Sequence, residues 1–207
     1  MIPRASGINL IIIPEKEHSC LTPLPEHLYP HRMRIVGIDP GIATIGLGTV
    51  EMTTSSNIRA TDWLVINTKP MPLPERLREI ADDLDAFLEE THPDLVVIER
   101  LFFARNERSA MDVAHARGVI LSAAARQGCP ILEPTPLQLK LAITGNGRAT
   151  KEEMQRMLIH LLHLKEIPKP DDAADALALA FYGTLHPLSI ATRRPVGNSL
   201  SPRERAG

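Results

Sequence analysis

Apolar positions along this chain follow two rhythms. Ile35-Val36-Gly37-Ile38 and Leu95-Val96-Val97-Ile98 are short, nearly unbroken apolar runs, and each ends on an acid, Asp39 or Glu99. Runs of that length and β-branched content predict buried strands over Arg34–Asp39 and Asp94–Glu99. Ala43–Glu51 and Ile58–Asn67 predict two further strands, punctuated by Gly41, Gly46 and Gly48, with hairpin order implying antiparallel pairing. Leu77, Ile80, Ala81, Leu84, Phe87 and Leu88 recur at helical spacing, so Pro74–Thr91 reads as an amphipathic helix with acids on its outer face. A long helix over Asn106–Gln127 and a short fifth strand over Pro130–Glu133 come next. Helices near Leu137–Ile143, Thr150–Leu164 and Asp172–His186 complete the order. Thr150 and Glu153 form the capping box of the second of these three. A hairpin sheet followed by alternating strands and helices predicts an α/β fold, a mixed five-stranded sheet with helices on both faces.

The ends of the chain differ from its middle. Residues 1–32 hold five prolines and no sustained periodicity, which predicts a poorly ordered extension. Met33 directly precedes the first strand and is a second candidate for the start of translation, which the mass of the native N-terminus would decide. Residues 188–207, with Arg193-Arg194 and Arg203, read as a flexible basic tail. The folded part is then expected over 33–187, long enough to bury its own core. Cys20 and Cys129 lack metal-ligand spacing, and no run is long enough to span a bilayer. These features predict a soluble, cytoplasmic protein without disulfides.

Net charge is only −2, yet it is unevenly spread. Residues 33–99 carry 5 basic and 12 acidic side chains, whereas 100–160 carry 9 basic and 5 acidic. A basic half beside an acidic half suits a polyanionic ligand, although solvated faces decorated with charge would give the same count.

Four acids in three places carry the chemistry. Asp39 and Glu99 end buried strands, and Asp172 and Asp175 lie three apart at the start of an alanine-rich helix, on one helical face. Carboxylates at the ends of apolar elements are costly to bury alone, and a cation is the natural compensation. Oxygen-only donors favour hard ions such as Mg²⁺ or Mn²⁺. Each acid has a plainer reading as well. Asp39 before Pro40-Gly41 suits a turn, and Asp172 and Asp175 suit a helix N-terminus. Glu99 has no local capping task, and Asp171 is assigned to capping.

Together, Ile35–Gly41, Val97–Phe102, Ala116-Arg117-Gly118, Gly145–Lys151 and Asp172–Ala178 give Met33–His186 a family likeness. The segment resembles RuvC, the bacterial Holliday-junction resolvase family, whose fold is of the ribonuclease H type. The resemblance implies an endonuclease that nicks two strands of a four-way junction symmetrically, leaving 5′-phosphate and 3′-hydroxyl ends in recombination and repair. It implies Asp39, Glu99, Asp172 and Asp175 as catalytic, metal-binding residues around two Mg²⁺ ions, about 3.5–4 Å apart, with Mn²⁺ able to substitute. It places Phe102 beside the active site, where stacking on an unpaired base is worth about 1–3 kcal/mol, against the alternative that Phe102 is core. Arg105 lies in the same basic stretch, and Lys140, Arg148 and Lys151 match positions against DNA phosphates. A two-fold homodimer and the RuvA and RuvB branch-migration proteins are the implied partners, with no membrane.

Two other readings stay open from sequence. A non-catalytic junction-binding protein would be expected to have lost an acid, and all four are present. An ATP-binding lobe of the actin/hexokinase/Hsp70 class shares the Asp-Pro-Gly hairpin but requires two lobes. The recurrence of Ala110, Ala114 and Gly118 suits either a close crossing with a symmetry mate or packing on the sheet. Trp63 is expected to pack within the third strand, and the eight histidines form no helical ligand pair flanking an acid.

Overall fold

The computed structural model describes residues 32–100 and 107–186. Residues 1–31 of the expected N-terminal extension over 1–32 and the tail over 188–207 lie outside the described residues, as do Phe102 and Arg105, while Arg32 is described. Ten elements follow one another: β1 Met33–Asp39, β2 Thr44–Thr54, β3 Asn57–Asn67, α1 Leu73–Thr91, β4 Leu95–Ile98, α2 Glu107–Arg126, β5 Ile131–Leu132, α3 Pro136–Thr144, α4 Lys151–Leu161 and α5 Asp171–Thr184. The strands form one sheet in the order β3-β2-β1-β4-β5. The first three are antiparallel neighbours, and β4 and β5 run parallel to β1 as the helical crossovers require.

Strand alternation divides the core into two halves. Val36, Ile38, Ile45, Leu47, Val96 and Ile98 pack against Ile80, Leu84 and Leu88 of α1 and Ala116, Ile120 and Ala123 of α2. Ile35, Val50, Met52, Leu95 and Val97 face the other way, onto α5 and the α3–α4 pair through Leu177, Leu179, Leu139 and Leu158. Helices therefore cover both faces, as the sequence predicts.

α5 lies unusually close to the sheet. A side chain at Gly37 would overlap the Ala176 carbonyl, and one at Gly46 would overlap the Asp172 carbonyl. Glycine is required here for close approach, and the alanines of α5 complete the fit from the helix side.

Two expectations need correction, and one open alternative is decided. Asp171 caps nothing: Pro170 occupies the N-cap, without a side-chain cap, and Asp171 is the first residue of α5. Trp63 is 39% exposed rather than packed, because β3 is an edge strand and its register partner, Gly48, offers no side chain. Gly118 is exposed, with open space where a side chain would go, so it does not pack on the sheet; Ala116 and Ile120 do.

Candidate active site

Asp39 closes β1, and Glu99 follows the last residue of β4. Parallel pairing ends with Ile38 opposite Ile98, so Asp39 and Glu99 stand level one step further on. Alternation turns both toward the face that α5 covers. The antiparallel partner of Asp39 is Gly46, whose missing side chain admits the Asp172 backbone. One turn along α5, Asp175 joins Asp39 and Glu99 in lining a cleft of about 230 Å³. Its wall is apolar, built from Leu139, Met154, Leu158, Ala178 and Leu179, with Lys140 and Lys151 also lining it. Four acids from three distant stretches of the chain are thus carried to one end of the sheet.

Their electrostatics show the cost. Burial, followed by the charges of Asp175, Glu99 and Asp172, pushes the Asp39 carboxyl up to about 7, against a weaker downward pull from Lys151. Glu99 is raised by burial and by Asp175, with Lys140 opposing. Asp175 is raised by burial, opposed by its hydrogen bond from Lys151 and reinforced by Asp171 and Asp172. Glu51, at the other end of the sheet, is the instructive contrast. It is 3% exposed, and burial opposes its charge. Hydrogen bonds from Arg32, Arg34 and Arg59 nevertheless hold its carboxyl below the usual range. One buried acid has three guanidinium partners, while the acids of the cleft share mainly one ammonium.

That ammonium is Lys151, the first residue of α4, behind the Thr150–Glu153 capping box found as expected. Its Nζ donates to Asp175 Oδ2 at 2.9 Å and stands 3.2 Å from Asp171 Oδ2. Gln155 also reaches Asp171, at 3.4 Å. Lys140 is half-buried on the cleft wall, and Arg148 is exposed in the turn after α3, where Gly145 adopts a left-handed conformation.

Two contributors were given no role by the sequence. Arg117 of α2 donates from Nε to the Glu99 carbonyl at 3.4 Å and pairs with Glu133, so it braces the chain at the acid. A charged residue beside the buried Ala116 was the available signal. Gln155 had none, since an exposed-looking glutamine on an amphipathic helix is ordinary.

Among the described residues, no three His, Cys, Asp or Glu side chains are gathered closely enough to form a finished metal cage. Asp175 is instead engaged by Lys151. The fit to a metal rests on donor chemistry and charge: the donors are all oxygens, and repulsion among them is what a hard dication relieves.

Comparison with known proteins gives one answer. The family described as Crossover junction endodeoxyribonuclease RuvC matches residues 35–182. A crossover junction endodeoxyribonuclease RuvC of Desulfitobacterium hafniense is 44% identical over 169 residues, covering 81% of this chain and all of the relative. The Alkaliphilus metalliredigens protein of the same name is 49% identical over 149 residues, 72% of this chain and 90% of that one. The solved Thermus thermophilus RuvC in complex with Holliday junction substrate superposes with a TM-score of 0.70 at 37% identity, covering 74% of this chain and 94% of that one. With five strands and four carboxylates arranged as described, and similarity along nearly the whole folded length, this chain belongs to the RuvC family of crossover junction endodeoxyribonucleases, which are metal-dependent nucleases.

Proposed function

We propose that the chain resolves Holliday junctions by hydrolysing one phosphodiester in each of two symmetry-related strands, leaving 5′-phosphate and 3′-hydroxyl ends. The observation that carries this reading is the convergence of Asp39, Glu99 and Asp175 on one cleft, with Asp172 beside it and Asp39 titrating near 7. Asp39, Glu99, Asp172 and Asp175 would hold two Mg²⁺ ions, with Mn²⁺ as a substitute. Such ions supply charge neutralisation at the phosphate and acidify the attacking water. The residues of the chain do the rest. The apolar wall from Leu139 to Leu179 limits the access of water on one side of the carboxylates and strengthens the charge interactions on that side, while Asp175 stays partly exposed. Lys140 and Arg148, with Lys151, provide cations along the approach to the cleft for phosphates. Phe102 and Arg105, three and six residues after Glu99 in sequence, are assigned to contact with junction DNA on the family resemblance.

Two cuts per junction call for two sites, and a homodimer supplies them. The exposed stripe of α2, with Met111, His115, Gly118 and Ser122 at helical spacing, supports close contact with a second copy. No helix among the described residues is long and apolar enough to cross a membrane. We place the protein in the cytoplasm, working with RuvA and RuvB.

The test is cleavage of a mobile four-way junction against linear duplex, with Mg²⁺ and with EDTA. Paired nicks in the junction alone, lost in Asp39→Asn while junction binding persists, are the expected result. Cleavage of duplex at an equal rate, or cleavage in EDTA, would overturn the reading.

A further inference from the structure

Lys151 stands where two of its tasks conflict. Its ammonium is 2.9 Å from Asp175 and 3.2 Å from Asp171, yet phosphate binding requires those same donors to face the DNA. Asp175 lines the cleft, whereas Asp171 does not and its side chain is 65% exposed. The lysine therefore straddles an inner and an outer seat. Resting on the proposed metal-dependent reaction, we propose that Lys151 is an internal counter-ion that a dication displaces from Asp175, so that its phosphate contact becomes available only once metal is bound.

Charge and geometry both argue for the exchange. An ammonium 2.9 Å from Asp175 Oδ2 and a dication on the same carboxylate repel one another and compete for its charge, so metal binding weakens the lysine's hold. Displacement is inexpensive because the pair is partly exposed, and exposed pairs hold weakly. Asp171 gives the displaced ammonium a resting place on the solvent side, from which a four-carbon stem sweeps freely toward an incoming phosphate. The same residue thus serves the acids when metal is absent and the DNA when metal is present. Nuclease chemistry and substrate grip are thereby coupled through one side chain.

Two measurements test this in the intact protein. In the first, Mn²⁺ is titrated without DNA, and free Mn²⁺ is read by electron paramagnetic resonance. Lys151→Gln should bind Mn²⁺ about 2- to 5-fold more tightly than the wild type, the factor expected for removing a partly exposed competitor. Arg126→Gln, which removes a cation paired with Asp85 beyond the opposite face of the sheet, should change affinity by less than about twofold. In the second, junction affinity is measured with Ca²⁺ and with EDTA. Lys151→Gln should lose roughly tenfold in Ca²⁺, the scale of one charge-assisted phosphate contact, and close to nothing in EDTA. Unchanged or weaker Mn²⁺ affinity, or an equal loss with and without Ca²⁺, would overturn the exchange. Failure to cleave junctions would count against the proposed function alone, because the DNA-free titration decides the exchange by itself.

Discussion

Replacing Asp39 by asparagine should stabilise the protein while ending cleavage. The folded-state carboxyl titrates near 7, against an ordinary value of 3.8. A carboxyl raised in this way is harmless below its unfolded pKa, where both states are protonated. Between pH 3.8 and about 7 the unfolded chain loses its proton first, and folding stability falls as pH rises. Above about 7 the penalty levels off. Linkage from these two values gives a cost of about 0.6 kcal/mol at pH 4, about 1.7 at pH 5 and about 4 at pH 8. The amide of the Asp39→Asn variant carries no charge to bury and removes the repulsion from Glu99, Asp172 and Asp175, so the variant should recover most of that cost. Urea denaturation in EDTA at these three pH values reads the difference directly. In Mg²⁺ the gap should narrow, because the wild type gains more from a bound dication than the variant does. A variant no more stable than the wild type at pH 8, or a gap independent of pH, would refute the reasoning.

The other expectations concern different parts of the molecule. Gly46→Ala sets a methyl against the Asp172 carbonyl and should cost roughly 1–3 kcal/mol in urea denaturation, with cleavage falling more steeply because α5 carries two of the acids. Glu51→Gln should lose roughly 1.5–3 kcal/mol at pH 7. Its carboxyl is held low, so that stabilisation is present above the ordinary glutamate range and disappears as pH falls through the folded value, opposite in sign to Asp39. Lys140→Gln should weaken binding to all junction sequences alike and flatten the salt dependence by about one unit, measured by fluorescence anisotropy across a salt series.

Much of this architecture was legible in the chain because burial and periodicity coincide. Ile35–Ile38 and Leu95–Ile98 are nearly all apolar because both faces of the sheet are covered, and that made their terminal acids stand out. Parallel register, which sets Asp39 level with Glu99, is a tertiary fact that neither run contains. Gly46 and Gly48 were visible as breaks in a strand, but their use, admitting α5, becomes evident only with the helix in place. Asp171 misled for a physical reason. An acid at a helix start satisfies the local rule for capping, while the partner that claims it, Lys151, arrives from α4 through packing. Trp63 misled because strand propensity does not reveal which strand is at the edge. Small residues spaced by four on α2 are equally compatible with two kinds of close packing, and only the open space at Gly118 separates them.

Anomalous diffraction from crystals grown with Mn²⁺ would probe most directly whether these acids form a metal centre. Two manganese peaks held among the carboxylates of Asp39, Glu99, Asp172 and Asp175, with Lys151 Nζ withdrawn from Asp175, are the expected outcome. Manganese bound away from Asp39 and Glu99, or none bound at concentrations that support junction cleavage, would contradict it.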